Sequence, residues 1–231
     1  GVLGVVDADR VVYFREVVKR HTARSEFDPS SLSSLPRVDV IMVYQGASGD
    51  LIRAAADLGA KGIVIASAGA GATSGTQQEA IRYAAEKGIA VAQYDMAGLY
   101  QNGSGVEPSA LEAGRWLSKA AEQGMAEAQF DYAVVLLRGL GLTKDEPKAI
   151  PYLRAAALKG LAAAQNRLAY VYAEGVGVKK SPQEAAKWRL IAQAGGLKDE
   201  ALDELVTKLP KAQQLAAQQQ ASEWRERAGL F

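Results

Sequence analysis

Four aromatic side chains recur at one interval. Trp116, Tyr152, Trp188 and Trp224 are each 36 residues apart, and they include all three tryptophans of the chain. The same period carries Gln93, Gln129 and Gln165, the glycine pairs Gly103/Gly105, Gly139/Gly141 and Gly175/Gly177, and the single glycines Gly124, Gly160 and Gly196. A fixed period of this size means stacked copies of one supersecondary unit, each burying its apolar side against the next. Such arrays present an extended surface to another protein more often than they build a reaction centre.

Each unit reads as two helices. A first helix, such as 128–138, runs into a Gly-x-Gly-apolar turn, and a second helix ends at Gly124, Gly160 or Gly196. Glycine just past a helix end supplies left-handed backbone that other residues resist. The second helices open at Ser109, Asp145 and Ser181, all good N-caps. Ser109 with Glu112 and Ser181 with Glu184 fit the capping-box pattern. Pro151 predicts a kink in the second helix of the middle unit. The last stretch keeps Trp224 but has Lys211 and Gln213 where the turn glycines should be, and is expected to cap the array with Leu215 and Trp224 facing inward.

Upstream the grammar differs. A strand-like region at 11–18 and a Ser-rich link at 30–36 precede a strand at 38–44 and an Ala-rich helix at 50–58. A strand at 62–66, a glycine loop at 69–75 and a helix at 76–87 stopped by Gly88 follow. That β-α-β-α order predicts a parallel α/β layer. Residues 84–93 fit both grammars, since Ala84-Ala85-Glu86-Lys87-Gly88 aligns in phase with Ala120-Ala121-Glu122-Gln123-Gly124. Residues 89–91 cannot be both a strand and the first turn of a repeat helix. The helix is expected to win from about Ala92, with helix 76–87 serving as the preceding second helix of the array.

Composition closes several doors. Lys+Arg 27 against Asp+Glu 26 leaves a net charge of +1 with no basic stripe, so the electrostatic footprint of a nucleic-acid binder is missing. The absence of cysteine excludes disulfides, thiolate metal sites and a cysteine nucleophile. No apolar run approaches the ~20 residues of a membrane span. His21 is the one histidine, and one imidazole makes neither a metal cluster nor a hydrolytic pair. The Gly69-x-Gly71 loop lacks the third glycine of a dinucleotide fingerprint and the Lys-Ser/Thr of a P-loop, so it reads as a tight turn; no cofactor or metal is expected. The aromatic ladder reads as core. Binding is expected at exposed first-helix positions such as Gln101, Arg138 and Glu174, which share a phase within about a residue.

Two family resemblances follow. The pattern Ala-x-x-Tyr-x-x-Gly-x-Gly-Val…Ala-x-x-Trp-x-x-x-Ala-Ala-x-x-Gly, over about 92–228, resembles the Sel-one-like repeat, a relative of the tetratricopeptide repeat; the resemblance implies a bacterial adaptor that binds another protein. Residues 1–91 resemble the C-terminal domain of bacterial type II L-asparaginases and glutaminase-asparaginases. The carrying segments are Arg20-His21-Thr22, Leu35-Pro36-Arg37-Val38-Asp39, Tyr44-Gln45-Gly46-Ala47, Gly59-Ala60-Lys61-Gly62 and Gly69-Ala70-Gly71. That resemblance implies a small flavodoxin-like domain, a homo-oligomer through it, and a periplasmic address. Such enzymes hydrolyse amides through a threonine in a Thr-Gly-Gly-Thr-type motif, which this chain lacks. None of Thr22, Thr73, Thr76, Thr143 and Thr207 has the family's Lys or Asp spacing, and an ungapped alignment puts Gly46 where several members have a substrate-contacting Asn. No catalytic residue is carried over.

The expected architecture is an α/β parallel, flavodoxin-like fragment at 1–91 followed by an all-α helical-hairpin solenoid at 92–231, comprising three repeats and capping helices. The expected role is a protein-interaction scaffold. The alternative is part of an asparaginase or glutaminase amidohydrolase whose catalytic half lies outside this chain; a third is a fusion with no evolved joint function.

Overall fold

The computed structural model describes residues 4–7, 10–13, 37–43, 47–67 and 75–227. It divides into two compact units, residues 1–35 with 225–231, and Pro36–Trp224. In the first, β1 (Gly4–Asp7) pairs antiparallel with β2 (Arg10–Tyr13), Val5 opposite Val12 and Val6 opposite Val11. The expected strand at 11–18 is thus described to Tyr13, and the Ser-rich link lies outside the described residues.

The second unit opens with β3 (Val38–Val43), α1 (Asp50–Asp57), β4 (Gly62–Ser67) and α2 (Gly75–Glu86). β3 and β4 pair in parallel, Val38 opposite Gly62 and Val40 opposite Val64, as the β-α-β order requires. Alternation along the strands sends Ile41 and Ile63 into a core shared with Ile52 of α1 and Ala80, Ile81 and Ala84 of α2. Val38, Val40, Met42 and Val64 fall on the opposite face and are exposed. Among the described residues no third strand follows. Gly88, at φ +89°, turns the chain, Ile89 stays extended, and α3 (Ala90–Asn102) begins at once. The helix wins two residues earlier than expected, because Ala92, Gln93, Met96 and Ala97 all find buried places against α2 and α4.

Helical hairpins follow: α4 (Ala110–Glu122), α5 (Ala126–Arg138), α6 (Glu146–Leu158), α7 (Ala162–Glu174) and α8 (Pro182–Ala194), capped by α9 (Glu200–Lys208) and α10 (Lys211–Arg227). Identical contacts recur every 36 residues. The side-chain amides of Gln93, Gln129 and Gln165 donate to the carbonyls of Ala85, Ala121 and Ala157 at 3.2, 3.2 and 3.1 Å. Since Ala85 belongs to α2, that helix acts both as a layer on the sheet and as the second helix of a repeat. The turn glycines show the same register. A Cβ on Gly141 would lie 2.2 Å from the Ala110 carbonyl carbon, and one on Gly177 2.9 Å from that of Glu146, so each turn seats on the helix start one unit back.

Ser109, Asp145 and Ser181 cap α4, α6 and α8 by accepting from the amides of Glu112, Lys148 and Glu184. The capping boxes are completed differently from the sequence expectation. The N-cap amides of Ser109, Asp145 and Ser181 donate to the carbonyls of Tyr100, Leu136 and Tyr172, and Glu112 and Glu184 pair instead with Arg115 and Lys187. Pro151 lies inside α6, which continues through it to Leu158. The ladder is core: Trp188 is buried, Trp116, Tyr152 and Trp224 are half-buried, and the Trp188 and Trp224 rings meet edge-on at 6.0 Å. Trp116 packs against both the sheet-side core and the array core.

The cap departs from expectation. Leu215 is 64% exposed, and α10 buries Ala217 and Ala221 with Trp224 half-buried, because its small residues define the apolar side. Arg189 is fully buried in α8, donating to both oxygens of Asp203 at 2.6 and 2.9 Å, to Asn166 at 3.2 Å and to the Leu197 carbonyl at 2.9 Å. Asp199 caps α9 and accepts from Asn166 and Tyr170, so one polar network ties α7 and α8 to the cap.

Candidate functional site

The first helices α3, α5 and α7 each leave one side uncovered by the second helices. On α3 this side carries Val91, Tyr94, Asp95, Gly98 and Gln101, spaced at helical intervals, and its opposite side buries Ala92, Met96 and Ala97. Gln101, Arg138 and Glu174 are all exposed and sit at the C-terminal ends of α3, α5 and α7. Arg138 and Glu174 line the same groove, about 160 Å³ between α5 and α7, together with Val134, Arg167 and Tyr170. Gln101 lines a different and larger cavity, about 720 Å³, where α3 runs beside β4. The expected trio is therefore split between two hollows on one series of helices.

His21, Thr22, Tyr44, Gln45, Gly46, Gly69 and Gly71 lie outside the described residues.

The larger cavity contains residues that the sequence reading did not single out. Tyr94 donates to Asp131 at 2.7 Å, and burial first, then this bond, raises the tyrosine hydroxyl well above its ordinary value. Burial pushes the Asp95 carboxyl up, and burial with the nearby charge of Glu127 pushes Asp131 up despite the hydrogen bond from Tyr94. Asp95, Asp131 and Arg167 occupy one phase of the 36-residue period, a signal present in the sequence. The groove between α5 and α7 carries the opposite bias, with Arg138 and Arg167 against Glu174.

Among the described residues, no helix is long and apolar enough to cross a membrane. The two hollows present carboxylates, guanidinium groups, side-chain amides and tyrosines beside apolar residues.

Comparison with known proteins finds two kinds of segment. Residues 37–119 match the glutaminase/asparaginase C-terminal domain, and residues 126–161 and 162–189 match the Sel1 repeat. The asparaginase match runs through α3 and most of α4, so the first helical hairpin falls within it although its glutamine bond repeats the array register. L-asparaginase 2 of Bacillus subtilis is 36% identical over 98 residues, 42% of this chain and 26% of that protein. Glutaminase-asparaginase of Pseudomonas fluorescens is 35% identical over 91 residues, 39% of this chain and 25% of that protein. The chain thus spans about a quarter of the length of these relatives. Among solved structures, a Sel1 repeat protein from Oxalobacter formigenes superposes with a TM-score of 0.57 at 27% identity, covering 77% of this chain and 72% of that one. An asparaginase C-terminal-domain segment followed by Sel1 repeats is what this chain carries.

Proposed function

We propose that the chain is a non-catalytic scaffold that binds a segment of another protein along the exposed sides of α3, α5 and α7. The observation that carries this reading is the groove in which Arg138, Arg167 and Glu174 surround Tyr170 over an apolar floor. Charged side chains of both signs around a tyrosine suit a peptide carrying complementary charges. Sel1 repeats at 126–161 and 162–189 support an interaction role. Gln101, Arg138 and Glu174 are the contact residues of this reading, and a homo-oligomer would form through the asparaginase-like part.

A second reading rests on the match at 37–119: the segment is the C-terminal part of an asparaginase or glutaminase amidohydrolase, its catalytic portion being supplied from outside these residues. One experiment separates the two. A photo-crosslinking residue at Val134 in the groove should capture a defined partner that Arg138→Glu with Glu174→Arg abolishes, while the same probe at Ser118 on α4 captures none. Purified chain should release no ammonia from asparagine or glutamine. Ammonia released when the chain is mixed with the N-terminal portion of an asparaginase, and by neither alone, would establish the enzyme reading instead, and equal capture from Ser118 would remove the groove from consideration.

A further inference from the structure

Among the described residues β4 has a strand neighbour on one side only. It pairs with β3, and the chain that would continue the sheet turns at Gly88 into α3. Alternate backbone N–H and C=O groups of β4 therefore face away from β3 with no ladder to join. The 720 Å³ cavity opens on this edge. Its wall on one side is Gly62, Ile63 and Val64; on the other it is α3, with Val91 and Tyr94. Its polar end holds the carboxylates of Asp95 and Asp131, and among the described residues no Lys, Arg or His lines it. A strand advances about 3.3 Å per residue, so the three β4 residues that border the cavity offer about 10 Å of edge. A hollow of this volume is in the range of natural ligand sites.

We infer that this cavity receives an extended segment of a partner protein, which adds as a strand to the free edge of β4 and places a lysine or arginine between Asp95 and Asp131. Three features select this occupant. The open edge asks for main-chain donors and acceptors in extended geometry, the basis of strand addition. Val64, Val91 and Ile81 give an apolar floor for the alternate side chains. The charge at the polar end is of one sign: Tyr94 already donates to Asp131, while the Asp95 carboxyl is held up by burial with no cation offsetting it. A cationic side chain supplies what the cavity lacks. The cavity shares Gln101 and the exposed side of α3 with the scaffold reading, but the groove between α5 and α7 takes no part in it, so crosslinking at Val134 and peptide binding here fail independently.

The test uses the full chain and three fluorescent, end-blocked seven-residue peptides followed by anisotropy. One alternates valine and lysine. A second replaces the lysines by glutamates, and a third keeps the first peptide's side chains but carries N-methyl groups on alternate amides. The valine–lysine peptide should bind, and the other two should bind at least about tenfold more weakly, since one loses the charge and the other the backbone donors. Asp95→Asn with Asp131→Asn should weaken the first peptide by about tenfold, with the helical circular dichroism unchanged. Lys211→Glu, at an exposed position of the cap helix α10, should leave it unaltered. No binding of the first peptide, equal binding of the N-methylated one, or indifference to the Asp substitutions would overturn the inference. A sedimenting dimer that the peptide must dissociate before binding would also overturn it, by making the occupant a second copy of the chain.

Discussion

The sheet segment and the helical array solve the same burial problem with unequal success. Each hairpin of the array meets a hairpin before it and another element after it, and the glutamine bonds and turn seats return in register every 36 residues. The β3–β4 layer has one covered face, while Val38, Val40, Met42 and Val64 remain between 50 and 79% exposed on the other. Helices satisfy their own backbone bonds, so an array can begin wherever one helix offers its side to the next. A parallel sheet needs cover on both faces and a partner at each edge. With α3 in place of a third strand the array keeps its register, while the sheet is two strands wide among the described residues. This asymmetry explains why the joint is made on a helix: α2 can serve two architectures and a strand cannot.

The largest expected effect measures that contrast directly. Trp188, almost fully buried and edge-on to Trp224, should lose about 3–5 kcal/mol on Trp188→Ala, as large aromatic truncations do. Met42, 79% exposed, should lose no more than about 0.5 kcal/mol on Met42→Ala. Urea melts of the two variants check both. A Met42 variant that falls as far as the Trp188 variant would mean that the bare sheet face is covered in solution, and the comparison would break.

A smaller effect sharpens it at the turns. Gly59, after α1, and Gly141, after α5, both have left-handed backbone, at φ +80° and +76°. Open space surrounds a Cβ on Gly59, so Gly59→Ala should cost only the conformational strain, about 1–2 kcal/mol. On Gly141 the added Cβ meets the Ala110 backbone at 2.2 Å, and separating the two units adds about 1–3 kcal/mol to that strain. Equal melting of the two variants would show that the array turns are no more tightly seated than the sheet-side turn.

Much of this was legible because it depends on local backbone geometry. Glycine stops, N-cap side chains and the aromatic rung need no knowledge of tertiary partners, and residues 84–93 announced their double fit. What escaped depends on partners distant in sequence. Arg189 stands in the phase of Leu117 and Leu153, both fully buried, so a charge occupies a core position. The sign was there, an arginine at a leucine position with Asp199 and Asp203 just downstream, but its acceptors on α7 and α9 exist only once the hairpins close. The capping glutamates were misread for the same reason: the N-cap amides had carbonyls of the preceding helix within reach. At the candidate site, periodicity placed Gln101, Arg138 and Glu174 on one helix series, yet only β4 running beside α3 separates the first hollow from the second. Asp95 and Asp131 shared a phase in plain view, and what gives them meaning is the strand edge opposite.

The smallest effect sets an aspartate of α3 that borders the sheet edge against one in the cap. Burial raises the Asp95 carboxyl above its unfolded value, so between the two pKa values the folded chain holds a proton that the unfolded chain has released. Its stability falls as pH rises through that window and then stays level, which leaves the ionised carboxylate a net cost at pH 7. Asp199 behaves oppositely. Burial pushes it up, but hydrogen bonds from Asn166, the Leu202 amide and Tyr170, with the charge of Arg189, outweigh burial and hold it below the usual carboxylate range. Its contribution is complete above the unfolded value and disappears as pH falls through the folded one. Asn keeps the shape of both side chains and is itself a good N-cap for α9. At pH 7, Asp95→Asn should therefore raise the melting temperature and Asp199→Asn lower it, each by less than about 1 kcal/mol in stability. Both differences should shrink as the buffer is taken towards pH 3, where protonation removes the charge from Asp95 first and Asp199 last. Thermal melts across that range check the pair. A lowered melting temperature for Asp95→Asn at pH 7 would mean that the carboxylate beside the sheet edge is already paired, and that the cavity there has no cation left to attract.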